Sequence, residues 1–437
     1  MEKRISETLL RGGTALLLAL SGCKKDPEVA GNINSNRTTV SQGAASIINQ
    51  EPGLSEDGSA TNIDLPEVPE IPFPNIKILD GEVNSQVPEE LNMNPSEFAD
   101  FAKKVNLKLA TALSQKPTDT AGLIKIVNTV ITDLQNDQPA FRDYITKYWA
   151  NFINHPDSFF SQLKLLHLFN TIIGPQNIYA TLYFGSDGRQ EAGIYTITDR
   201  KIAEVSNGSF TSKTPVLYLD NPILEISSAT PRPPAALYFR IDHQILVHKS
   251  ADSRNVEDIA KTLGLSPEEK MELSKSFSIG LIDHEAIHAF DEDRLPNAPV
   301  DKQLYIGERF ALNDKVHPLA GPSDIMRFSE MAGMAAQIIA SKNKFEHRYF
   351  LKKGAGPQYK LAQYVLGMAT LNFAPESPLK ADLIKRINGD MSGDINGDLE
   401  LLVKDPGFTV EKSNEVGLYV YRFAEKIMEQ SNAGQEL

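Results

Sequence analysis

Residues 284–288 read His284-Glu285-Ala286-Ile287-His288, and they lie in a stretch that the sequence commits to helix. That combination limits what the chain can fold into more than any other feature. Ser266-Pro267-Glu268-Glu269 supplies a capping hydroxyl, a proline for the first helical position and an acid three residues after the cap. Met271, Leu273, Phe277, Leu281, Ile282, Ile287 and Phe290 then follow as the apolar residues of the helix. On such a helix His284 and His288 stand one turn apart on one face. Two imidazoles so placed can bind one Zn²⁺ at about 2.0–2.1 Å each. Gly280, a further turn back, leaves room on that face. Glu285 is rotated by about 100° from His284. There it can take a proton from a water that zinc has acidified toward a pKa of ~7. The flanking apolar residues imply half burial, and a buried His-Glu-His cluster needs a partner such as a metal.

The third ligand must come from elsewhere. Asp291 shares the histidine face, but it lies about 10 Å along the axis from His284, so both cannot ligate one ion in a continuous helix. It reads as a supporting or surface residue. Downstream, Gly321-Pro322-Ser323 opens a helical run, DIMRFSEMAGMAAQIIA (324–340), with Glu330 in its middle. A carboxylate among such small and apolar neighbours is costly unless it is paired with a cation. Gly333 and Ala336 let this helix approach another closely. Glu330 is therefore preferred as third ligand, with Glu308 and Asp324 as the alternatives. A stabiliser for a carbonyl oxygen that gains charge is also expected. Tyr305, His317, His347 and Tyr349 are in range by sequence, and His317 and Tyr349 are the candidates retained.

An HExxH helix followed by a glutamate on a later helix resembles the gluzincin metallopeptidases. The similarity covers roughly 266–340, with the strand pair ALYFRI (236–241) and QILVHK (244–249) as a candidate for the edge that binds extended peptide in zincins. It implies His284, His288 and Glu330 as zinc ligands, Glu285 as general base, and hydrolysis of peptide bonds. Asp291 and Arg294 stand where a metzincin would carry Gly and His, so that relationship fails. Ser329 precedes Glu330 where some gluzincin subfamilies carry Asn. The resemblance does not reach the amino-terminal helices or the carboxy-terminal tail.

The remainder sets the context. Residues 95–175 carry three helical stretches rich in buried-type aromatics, read as a helical subdomain. NIYATLYF (177–184), AGIYTIT (192–198), KIAEVS (201–206) and PVLYL (215–219) are β-branched and aromatic and read as strands. The expected fold is α+β and mostly helical. A zincin-like domain over 176–437, with a small and mainly antiparallel sheet, follows the 95–175 helices and a disordered tether.

The tether is read over 23–94. Between Glu51 and Asp100 there are twelve acids and one base, Lys77, so this segment holds most of the chain's net charge of −13. Its polar and Pro-rich text, ending in LPEVPEIPFPN, reads as a solvated spacer. The acidic balance excludes a nucleic-acid binder that works through a basic surface. A single cysteine excludes an internal disulfide framework and a thiolate zinc cluster. That cysteine is Cys23. Residues 1–22 carry Lys3, Arg4, Arg11 and the short apolar run TALLLAL, the pattern of a secretory signal peptide. Leu20-Ser21-Gly22-Cys23 resembles the lipobox of bacterial lipoproteins. The resemblance implies cleavage before Cys23, lipidation of it, and a membrane anchor. Lys24-Lys25-Asp26 suits sorting to the outer membrane, on its periplasmic or outer face.

A second metal pattern lies near the end. Asp394, Asn396, Asp398 and Asp405 resemble the calcium loop of EF-hands and dockerins, with Leu399 in place of the glycine of its sharp turn. The resemblance implies Ca²⁺ as a second ion; the other reading of this stretch, opened by Asn388-Gly389-Asp390, is an ordinary turn. The functional expectation is zinc-dependent hydrolysis of peptides or proteins by a lipid-anchored extracytoplasmic protein. The alternative is a non-catalytic surface-binding lipoprotein on a zincin scaffold.

Overall fold

The computed structural model describes residues 65, 67–81, 91, 93–114, 117–155, 159–173, 177–184, 190–226, 234–239, 242–294, 325–352, 357–388 and 394–433. Cys23, the signal segment and His317 lie outside the described residues, as do Tyr305, Glu308 and Asp324. Two compact units emerge. The described part of one comprises 78–203 and 214–251. The other comprises the segment ending at Lys77, the hairpin tip Glu204–Lys213, and everything from Asp252.

The first unit begins with α1 (Pro95–Leu113). Asn94 caps it by accepting from the Glu97 amide at 3.0 Å, while Glu97 accepts from the Asn94 amide at 2.9 Å. Phe98, Phe101, Ala102, Val105 and Leu109 form its buried stripe. Leu107 is 72% exposed, because it falls outside the 3.6-residue period of that stripe. Asp119 caps α2 (Thr120–Asp137) by accepting from the Gly122 amide. The aromatic stretch after it is broken into α3 (Pro139–Tyr148), α4 (Ala150–Asn154) and α5 (Phe159–Ile173).

Six strands follow the order β1-β3-β4-β6-β5, with β2 also on β3: β1 (Asn75–Asp80), β2 (Ile178–Phe184), β3 (Gln190–Ser206), β4 (Thr211–Ile226), β5 (Ala236–Phe239) and β6 (Gln244–His248). β2 pairs antiparallel with β3, Ile178 opposite Thr196, and β5 pairs antiparallel with β6. β4 and β6 run parallel, Val216 opposite Ile245, so the sheet is mixed. The helices and the sheet share one core: Phe101, Phe141, Leu166 and Phe169 join Tyr179, Leu182, Ile194, Leu217 and Leu246. The expected boundary at residue 175 therefore does not divide compact units, because the apolar helix faces are buried by the strands that follow them. Asp242 fastens the β5–β6 turn to this core. It accepts from His167 Nδ1 at 2.5 Å, Tyr179 Oη at 2.5 Å and Asn170 Nδ2 at 3.0 Å. Burial opposes its charge, but these donors hold its carboxyl below the usual range.

The second unit is a helical bundle. α6 (Lys249–Leu263) leads into α7 (Pro267–Arg294), the 28-residue helix that carries HExxH. Ser266 and Glu269 close the expected capping box at 3.2 and 2.8 Å. α8 (Ile325–Ala340), α9 (Phe345–Lys352), α10 (Pro357–Phe373), α11 (Pro378–Asn388), α12 (Ile395–Lys404) and α13 (Val410–Ala433) follow. α8 is the central helix, packed on α7, α10 and α13. Small residues set its crossings. A Cβ on Gly417 of α13 would lie 2.9 Å from Ile339, and one on Gly280 of α7 would lie 3.0 Å from Gln337 Cγ. Gly280 thus admits a neighbouring helix, where the sequence had suggested open room above a metal.

Two expectations are corrected here. Residues 67–81 are structured within the expected tether: Phe73 packs edge-on against Tyr421 of α13, and β1 joins the sheet. Ile76 and Ile78 alternate with outward residues, a strand period set inside an acidic, proline-rich composition. The calcium loop is also overturned. Asp394 caps α12 through the Gly397 amide, and Asp405 is the residue after its last turn. Ten intervening helical residues separate them by about 15 Å, so one ion cannot touch both. Asp398 instead pairs with Arg386 at 2.5 Å. Asn396 lies in the first turn of the same helix. Ile395, Leu399, Leu402 and Val403 are buried, and their helical period outweighs the resemblance to a loop. No described helix is long and apolar enough to cross a membrane.

Candidate metal centre

Three of the residues singled out by sequence come together. His284 and His288 on α7 face Glu330 on α8. Glu330 Oε2 lies 3.5 Å from His284 Nε2 and 3.8 Å from His288 Nε2. The two imidazole rings are 4.8 Å apart and nearly perpendicular. In a tetrahedron with bonds of 2.0–2.1 Å, neighbouring ligand atoms stand about 3.3 Å apart. Glu330 Oε2 is thus close to that spacing from each nitrogen, and the ligand atoms of the three residues all lie within 4.8 Å of one another. Their side chains keep 10–15% exposure, so the cluster is enclosed but not sealed.

Ser329, next to Glu330, was not predicted to contribute. Its hydroxyl donates to Asp291 Oδ2 at 3.1 Å and lies 2.8 Å from His288 Nδ1. A hydroxyl has one proton. With that proton on Asp291, His288 donates from Nδ1 to the serine oxygen, and its Nε2 is turned toward Glu330. When the ring is neutral, Nε2 offers its lone pair toward Glu330, and a shared cation completes that arrangement. This donor set fits zinc. Asp291 is buried behind the histidines, as a supporting residue would be.

His284 is held from two sides. Burial opposes a charge on it, but Glu330 and then Glu285 attract one, and its pKa is raised from the ordinary imidazole value. Glu285 therefore lies close enough to act electrostatically on His284. Gly333 makes the approach of α8 possible: a Cβ there would lie 2.8 Å from both Cδ2 and Nε2 of His284. The close approach was readable from the small residue, and its target was not. Gly333→Ala is expected to push the ring out of register and lower zinc affinity by about tenfold or more. Competition with a chromophoric chelator measures this.

Behind the site, Arg294 lies between two buried acids, Asp291 at 3.4 Å and Glu425 of α13 in close contact. The β3–β4 tip packs nearby: Phe210 meets Phe290 with ring centroids 5.6 Å apart, and Ser212 donates to Asp293 at 2.5 Å.

The retained stabiliser Tyr349 packs half-buried against an apolar cluster of Leu273, Phe277, Phe345 and neighbours. His347 is structural. Thr370 spends its hydroxyl proton on Leu366 O at 2.6 Å, so His347 Nε2 donates to Thr370 at 2.8 Å and Nδ1 accepts from Ser413 at 2.9 Å. Burial lowers its pKa to about 3, which keeps it neutral. In comparisons with protein-family models, curated proteins and solved structures, nothing matches this chain.

Proposed function

We propose that this chain is a zinc metallopeptidase of the gluzincin type, exported and carried on a lipid anchor at Cys23 at the outer membrane. The observation that carries the reading is the convergence of His284, His288 and Glu330 from two helices, with Glu285 beside them. His284 Nε2, His288 Nε2 and Glu330 Oε2 would hold the ion. Zinc supplies a Lewis acid for a carbonyl oxygen and lowers the pKa of water toward ~7. Glu285 takes the proton of the attacking water on its carboxylate and returns it to the leaving amine. Ser329 and Asp291 keep the His288 lone pair directed at the site. Gly333 lets α8 deliver Glu330 without displacing the His284 ring.

The purified chain is expected to contain one zinc per molecule by elemental analysis. It should hydrolyse an unstructured protein substrate, lose that activity to a chelator and regain it with zinc. A zinc-free protein, or turnover indifferent to the chelator, would refute the proposal. Stoichiometric zinc with no turnover on a broad peptide library would favour a binding lipoprotein on the same scaffold.

A further inference from the structure

The Pro-rich segment that composition marks as spacer docks on α13, within the same compact unit as the metal centre. Lys426 Nζ donates to the Glu67 carbonyl at 2.6 Å, and Arg422 Nε donates to the Ile71 carbonyl at 3.0 Å. Two cations thus grip the backbone of this segment. Its Pro69, Pro72 and Pro74 have no amide protons of their own to satisfy. Between these grips and β1, the Phe73 ring meets Tyr421 edge-on, with centroids 5.0 Å apart at 75°.

Tyr421 is where this docking meets the metal centre. Tyr421 and Glu425 are buried one turn apart on α13, which sets the phenol hydroxyl beside the Glu425 carboxyl. Glu425 contacts Arg294, and Arg294 reaches Asp291 Oδ1 at 3.4 Å. Asp291 Oδ2 accepts from Ser329, and Ser329 meets His288 Nδ1. From Glu425 to His288 each link is a direct contact between two groups.

We propose that Phe73 and Tyr421 are positioning residues of the metal centre, acting on His288 through Glu425, Arg294, Asp291 and Ser329. The inference rests on the zinc reading above. Glu425 and Asp291 compete for one guanidinium. The Tyr421 hydroxyl gives Glu425 a second donor and so leaves Arg294 available to Asp291. Phe73 holds the Tyr421 ring in the orientation that makes this bond. Without that bond, Glu425 draws Arg294 toward itself, Asp291 loses a constraint, and the Ser329 hydroxyl no longer fixes the His288 ring. The segment nearest the tether would then set the quality of a site to which it supplies no ligand.

The test uses the full chain, with zinc affinity from chelator competition and the visible bands of bound Co²⁺ as readouts. Substituting a direct supporting partner of a metal ligand costs 10- to 100-fold in affinity. From several contacts further out, Phe73→Ala and Tyr421→Phe are each expected to lower zinc affinity on the order of three- to tenfold and to shift the Co²⁺ bands. Their double variant should lose no more than the larger single loss, because both act on one line. Phe73→Trp, which retains an edge-on ring, should restore the wild-type spectrum. A role in packing alone would lower the melting temperature of the metal-free protein and leave affinity and Co²⁺ bands unchanged, which overturns the inference. Tyr421→Phe, the mildest change, reads the same line should Phe73→Ala fold poorly. A wild-type chain that binds neither ion defeats the zinc reading as well. Wild-type binding with indifferent variants defeats this inference alone.

Discussion

Glu285→Gln is expected to lower turnover by about a thousandfold while leaving zinc content at one per chain. Gln matches Glu in shape, so α7 and its two imidazoles keep their positions. It has no anionic oxygen to accept a proton, so in the proposed mechanism the attacking water loses its base. General-base contributions run from about 10² to 10⁴ in rate. Because the carboxylate acts only as the reaction proceeds, kcat and kcat/KM should fall together with KM nearly constant. Steady-state kinetics on a fluorogenic peptide, with metal analysis of the same preparation, makes the measurement. Full activity in this variant would remove Glu285 from the chemistry, whatever the metal content. Glu330→Gln should behave differently. It weakens a proposed ligand, so zinc content and activity should decline together, and added zinc should recover part of both.

The centre was legible to the extent that its signals are local. HExxH, the Ser266 cap and the apolar residues of α7 are read along one helix, and the structure contains that helix and its capping box. Glu330 was legible for a different reason: an acid amid Met331, Ala332 and Gly333 is expensive unless something positive receives it. Ser329 was not legible, because a serine on a buried helix has no pattern until its neighbours are known. Arg294 and Glu425 are 131 residues apart in sequence, and no period links them.

The errors share one cause. In each, composition or oxygen spacing hides a periodicity or a non-local partner. Asp394 to Asp405 matched a list of oxygen positions, while Ile395, Leu399, Leu402 and Val403 carried the helical period that decided the outcome. In residues 67–81 prolines and acids masked a strand and the aromatic contact of Phe73. The parallel pairing of β4 with β6 was invisible because strand direction follows from where the chain returns, not from the strand's own residues. Gly280 could be recognised as a place for close approach, but only the fold shows that Gln337 occupies it.

Arg294→Ala should produce the largest loss of stability. Asp291 is 6% exposed and Glu425 is fully buried, and Arg294 is the cation both face. Burial pushes both carboxyls above their usual range; each also meets a neighbouring acid, Glu425 for Asp291 and Glu429 for Glu425, while Arg294 opposes the rise. Removing one partner of a buried ion pair costs about 3–5 kcal/mol, because the remaining charge has neither water nor counterion. The pH dependence follows from the direction of the shifts. A carboxyl with a raised folded pKa keeps a proton that the unfolded chain releases above about pH 4. Folding stability from this pair therefore falls as pH rises from that point toward the folded pKa values. Without the guanidinium the folded pKa values rise further, so the penalty extends to higher pH. Urea unfolding at pH 5.5 and pH 8 should show the variant losing more at pH 8. Adding Glu425→Gln to Arg294→Ala should recover part of the loss and flatten its pH dependence, since one buried charge is then gone. Equal losses at both pH values, with no recovery in the double variant, would mean that Arg294 contributes through the packing of its stem and not through its charge.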